Sequence, residues 1–102
     1  MRRVDINVGA DYGAKIADTR KALESVIKLT PNVVADQPNQ IFLSDLGDSS
    51  VNWQVRLWCK REHYWDVWQA GTEQVKISLD NAGIGIPYPQ MDVHLPKGTS
   101  VS

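Results

Sequence analysis

Residues that could do chemistry are sparse in this chain, and they fall into three groups. Glu62, His63 and Asp66 place two carboxylates and an imidazole close together, the residue types of a metal centre or an acid/base pair. They also open a helical pattern, where acidic side chains suit the positive end of the helix dipole and simply face water. No catalytic, cofactor-binding or metal-binding residue is therefore expected from them. Cys59 is the one cysteine, so an intrachain disulfide is excluded and a reducing compartment is expected. It continues an alternating apolar pattern with no base beside it, so it reads as an inert strand thiol. Asp92 and His94 lie two positions apart in an alternating segment and share one strand face. In one copy they are an ordinary wet face. Arrayed around an axis in identical copies, they would form rings of carboxylate and imidazole, a device that sets ion preference in pores.

The remaining signals of chemistry are missing from the sequence: no glycine-rich phosphate loop with lysine, no paired cysteines, no nucleophile elbow. With 102 residues, the chain holds one modest core. Its 42% hydrophobic and 23% charged content is that of a globular protein, and a net charge of -1 offers no broad attraction to nucleic acid or anionic lipid. No run of eighteen apolar residues is present to span a bilayer, and Met1-Arg2-Arg3 does not lead into a secretory apolar stretch. The strand pattern starts almost at once, as in a piece cut at a domain boundary.

The elements that must position these residues follow from periodicity. Val4, Ile6 and Val8 alternate with polar residues in a strand over about Arg3 to Val8 that ends at Gly9. Asp11 is placed to cap a helix carrying Ile16, Leu23, Val26 and Ile27 to about Leu29, where Pro31 stops it. A second strand, Ile41 to Leu46, turns through Gly47-Asp48-Ser49 into a third. There Val51, Trp53, Val55, Leu57 and Cys59 share the core face and Asn52, Gln54, Arg56, Trp58 and Lys60 the other. Tyr64, Val67, Trp68, Gly71, Val75, Leu79 and Ala82 mark a second amphipathic helix, closed by Asn81 and Gly83. Gly71 stands where a larger residue would favour the helix. Ile84 and Ile86 supply a short fourth strand. Strand-helix-strand-strand-helix-strand, with both helices on one side of an antiparallel sheet, is the α+β, ferredoxin-like split βαβ sandwich.

Four tryptophans in so short a chain need placing. Trp53 and Trp68 fall on core faces. Trp58 on the outer sheet face, Trp65 on the flank of the second helix and Ile77 away from its stripe point to an oligomer or domain interface. After Pro87-Tyr88-Pro89 the chain alternates again, with Gln90, Asp92 and His94 on one side and Met91, Val93 and Leu95 on the other. A strand starting beside two prolines is unsuited to a sheet interior, so it needs partners from outside, and other copies are the simplest source. Domain boundaries follow: 1–87 for the α/β domain, 88–95 for this extra strand, and 96–102 for a tail of disordered composition.

Ser49-Ser50-Val51-Asn52-Trp53, Val55-Arg56-Leu57-Trp58, Tyr64-Trp65-Asp66-Val67, Ala82-Gly83-Ile84 and above all Ile86-Pro87-Tyr88-Pro89-Gln90-Met91-Asp92-Val93 carry a pattern. It closely resembles the C-terminal cytoplasmic region of the small-conductance mechanosensitive channel family, from Arg3 to about Leu95. The resemblance implies a heptamer whose α/β domains wall a hollow cytoplasmic cage with side portals. A parallel barrel of seven strands would cap it, each subunit contributing one strand carrying Tyr88, Gln90, Met91, Asp92, Val93, His94 and Leu95. It further implies an inner-membrane channel that opens under tension in osmotic shock and passes ions and small solutes, with no enzymatic step and no cofactor. Cyclic symmetry sets identical strands side by side in parallel without crossovers, and closure removes the edge. The competing reading is a ferredoxin-like regulatory module binding a small ligand at a dimer interface, which leaves the Pro-Tyr-Pro strand unexplained. Acylphosphatase-like or RNA-binding use of the fold requires an arginine-bearing anion loop after the first strand, where this chain has only Gly9-Ala10-Asp11-Tyr12-Gly13, or stacked aromatics with basic flanks on the open sheet face, and neither is expected here. The isolated chain is expected to be soluble and at most weakly associated.

Overall fold

The structure, a computed structural model, describes residues 1–87. Three strands and two α-helices follow one another as β1 (Arg2–Asp11), α1 (Ile16–Leu29), β2 (Gln40–Leu46), β3 (Ser50–Cys59) and α2 (Tyr64–Asn81), with a 3-10 turn at Arg61–His63 before α2. The sheet order is β1-β3-β2, antiparallel throughout. β1 pairs with β3 without interruption from Arg2 opposite Cys59 to Asp11 opposite Ser50, two residues further than the sequence pattern reaches. Gly9 allows that extension, because a Cβ there would lie 3.3 Å from the Ser50 hydroxyl. Between Leu43 and Asp45 the β2 register slips by one residue, a bulge that twists this edge.

Alternation assigns the sheet faces. Val4, Ile6, Val8 and Ala10 of β1 join Val51, Trp53, Val55, Leu57 and Cys59 of β3 in one buried cluster with Leu23 and Val26 of α1 and Val67, Val75 and Leu79 of α2. Both helices thus cover one face. Gly71 of α2 sits tight against the sheet: a Cβ would come to 2.8 Å from Ile6 Cδ1 and 3.0 Å from Leu57 Cδ1. The expectation of a larger residue there is wrong, because the missing side chain is what lets α2 lie on β1 and β3. Three hydroxyls are also buried. Thr19 and Thr30 donate to the carbonyls of Lys15 and Val26, and Ser78 lies 3.0 Å from the Ser25 hydroxyl across the helix pair.

Asp11 does not cap α1. Lys15 is the cap, without a side-chain bond, while the Asp11 carboxylate accepts the Gly13 N–H in a turn just before it. The C-terminus of α1 matches expectation: Thr30 closes the last turn ahead of Pro31, and Asn32 takes a positive φ of 69°. α2 ends in a Schellman motif. Gly83 at φ 73° donates to Asp80, Ile84 donates to Leu79, and the two apolar residues of that last pair are both buried.

No fourth strand forms from Ile84 to Ile86, so the described residues show three of the four strands of the ferredoxin-like order. One bond survives of it, Asp11 N–H to the Gly85 carbonyl at 2.9 Å. In an antiparallel pair every second residue turns its backbone toward the partner, so a strand continuing in this register would present positions 87 and 89 to β1. Both are proline and have no N–H to give. What remains is an α+β domain with a three-stranded sheet on two helices.

Candidate functional site

None of the three chemistry-bearing groups becomes a reactive centre among the described residues. His63 Nδ1 lies 3.9 Å from the Asp66 carboxylate, and that carboxylate is 75% exposed. Glu62 is exposed in the 3-10 turn, and no cluster of three potential metal ligands forms among the described residues. Cys59 is fully buried at the end of β3, and burial pushes its thiol above the ordinary value, against a smaller opposing pull from Arg2 and the N-terminus. A raised thiol is a poor nucleophile. Asp92 and His94 lie outside the described residues.

The surface features are more telling. At the start of α2, Trp65 is 72% exposed and Trp68 42%, with their indoles packed edge to face at 6.4 Å. Together with Gln69, Thr72 and Glu73 they line a groove of about 510 Å³. Trp68 therefore does not belong to the core. It occupies the margin of the stripe, its indole edge to face with that of Trp65. Tyr64 packs edge to face with Trp65 at 5.0 Å and lies under the Arg2 guanidinium at 4.4 Å, which ties β1 to the start of the helix.

Ile77, also exposed, follows Trp65 by twelve residues. At 100° per residue the two project about 120° apart around α2, so they belong to different flanks. Trp58, half-buried, is on the sheet face away from both helices, and its backbone N–H donates to the Asn39 side chain at 2.7 Å. Trp58, Trp65 and Ile77 thus mark three separate surfaces.

The open face of the sheet is polar. Arg56 lies at its centre, 4.3 Å over the Phe42 ring, donating to Gln54 at 2.6 Å. Gln54 in turn donates to Asn7, Asn52 donates to Asp45, and Arg3 pairs with Asp5 at 2.8 Å. Periodicity located this face, but the bonding within it depends on cross-strand register, which alternation alone does not specify. The face presents amides and stacked guanidinium to whatever borders it, and no activated nucleophile.

The Schellman turn at Gly83 and the bond from Asp11 to Gly85 hold the segment after α2 against the C-terminal end of β1. Tyr88, Gln90, Met91, Val93 and Leu95, the other residues expected in a barrel strand, lie outside the described residues.

Comparison with known proteins gives this arrangement its context. The family described as "Mechanosensitive ion channel MscS, C-terminal" matches residues 4–86. An uncharacterized MscS family protein of Synechocystis is 43% identical over 94 residues, which is 92% of this chain and 32% of that protein. A small-conductance mechanosensitive channel of Edwardsiella ictaluri is 39% identical over 92% of this chain and 33% of its own length. The crystal structure of Helicobacter pylori MscS in its closed state superimposes with a TM-score of 0.80 at 30% identity, covering 94% of this chain and 38% of that one. The chain spans about a third of the length of the curated relatives it matches. No helix among the described residues is long and apolar enough to cross a membrane. A match over nearly all of the α/β domain, in sequence and in fold, places the chain in the MscS mechanosensitive channel family, as its C-terminal domain.

Proposed function

We propose that this domain forms the wall of the cytoplasmic vestibule of a small-conductance mechanosensitive channel in the inner membrane. Seven copies would surround the vestibule, residues 88–95 of each supplying one strand of a closing barrel. Its work is assembly and filtering of the ions and solutes released in osmotic shock, with no covalent chemistry. The observation that carries this reading is the superposition of 94% of this chain on part of the chain of a mechanosensitive channel. The polar open sheet face supports it as well: side chains already bonded to one another form a smooth wettable wall that does not trap passing solutes.

Patch recording on membranes containing the full-length protein that carries this domain tests the reading. Conductance that opens with suction is expected, and a protein silent at all tensions up to membrane rupture overturns it. The regulatory-module reading predicts instead a compact dimer whose mass depends on a saturable small ligand, which sedimentation of the isolated chain detects.

A further inference from the structure

The groove at the start of α2 has a composition that selects by charge. Trp65 and Trp68 are its aromatic walls, with ring centroids 6.4 Å apart and planes inclined at 62°. Tyr64, edge to face with Trp65 and under the Arg2 guanidinium, holds the first indole in place. Glu73 lies about two turns further along the helix and projects about 80° from Trp65, with Gln69 between them. Among the described residues Glu73 enters no ion pair, while Lys76, three positions on, is taken up by Asp80 at 2.8 Å. The Thr72 hydroxyl already donates to the Trp68 carbonyl at 2.7 Å. Among the described residues no lysine, arginine or histidine lines the groove. An anion meets no positive charge there, whereas a cation meets two indoles and a carboxylate. Trp58 and Ile77 lie on other surfaces, so the exposed residues do not join into the continuous apolar patch that a protein partner needs.

We propose that this groove binds a small organic cation of the quaternary ammonium class, its methyl groups against the indoles of Trp65 and Trp68 and its charge balanced by Glu73. Such a cation has no N–H to satisfy and spreads its charge over its methyl groups, so it gives up little hydration on meeting an aromatic face. Tryptophan offers the strongest such face. A primary ammonium is compact and strongly hydrated, and an open groove returns too little for the water it would lose. The volume of about 510 Å³ suits a ligand of this size. All five lining residues come from one helix of one copy. A ring of seven would therefore carry seven such sites with no change in how copies meet, and the inference does not depend on the channel reading.

Choline chloride titrated into the 102-residue chain at constant ionic strength, followed by the four indole N–H resonances, tests this. The control is the uncharged alcohol of the same shape in which carbon replaces the onium nitrogen. Saturable millimolar shifts are expected at Trp65 and Trp68 and none at Trp53 or Trp58, with no saturation by the alcohol. Trp65→Ala should weaken choline binding about tenfold. Glu73→Gln should weaken it about two- to fivefold. Both variants should keep a native circular dichroism spectrum, since both side chains are exposed. A chain with no saturable shift overturns the proposal. So do equal binding of the alcohol, equal shifts at Trp58, or an affinity untouched by Trp65→Ala or by Glu73→Gln. If a variant fails to fold, the comparison of choline with the alcohol on the unaltered chain decides alone.

Discussion

Gly71 shows how a single missing side chain shapes this domain. Alanine at that position would gain about 1 kcal/mol of helix propensity. It would also push its Cβ into Ile6 and Leu57, both in a close-packed core, where overpacking costs about 1–3 kcal/mol. The second effect wins: Gly71→Ala should be destabilising by up to about 2 kcal/mol in chemical denaturation, and Gly71→Leu should not fold to the native state. Gly83 is glycine for a different reason. Its φ of 73° is left-handed, with open space around the Cβ position, so Gly83→Ala should cost about 1–2 kcal/mol through backbone strain alone. Cys59 makes a third test. Its thiol titrates higher folded than unfolded, so its contribution to stability is full below the unfolded value and falls away as pH rises through the folded one. A thiol reagent at neutral pH should label it only on unfolding, and rapid labelling of the native chain would show that β3 is less closed at that end than described.

Among the elements, three strands and two helices were legible, β3 from the cleanest period: all five residues assigned to its core face are buried, whereas β2, with Ile41, Phe42 and Leu43 in a row, was marked by the turn that follows it. Tertiary context accounts for the rest. Trp68 lies near the helix stripe and is still half out, its indole paired with that of the exposed Trp65. Ser78 falls on the stripe at i+3 from Val75 and is buried, but a polar residue leaves no mark in a hydrophobic count. The fourth strand was lost to two prolines whose effect depends on which way the Gly85 backbone faces, a matter of register. Replacing both Pro87 and Pro89 by alanine should let the chain continue along β1, with slower amide exchange at Gly9 and Asn7 in the monomer. The exposed aromatic surface is tested separately. Trp65→Ala should change the stability of the isolated chain by no more than about 0.5 kcal/mol, as expected of a surface residue outside the core.

For the whole molecule, the sequence motifs around Trp53, Tyr64 and Pro87 were enough to suggest the family, and the fold comparison agrees with them. They do not specify how copies meet, because an interface is written in surfaces such as the Trp65–Trp68 groove, which periodicity does not reveal. The residues expected to unite the copies lie beyond position 87. On the proposed reading Val93 packs in a strand of the barrel, so Val93→Asp in the full-length channel should weaken assembly by bringing a charge into a close-packed face. Native mass spectrometry of the detergent-solubilised full-length channel tests the central claim most directly. A mass of seven subunits is predicted, shifting to smaller species with Val93→Asp. A stable dimer, or a ring of another size indifferent to that substitution, would contradict it.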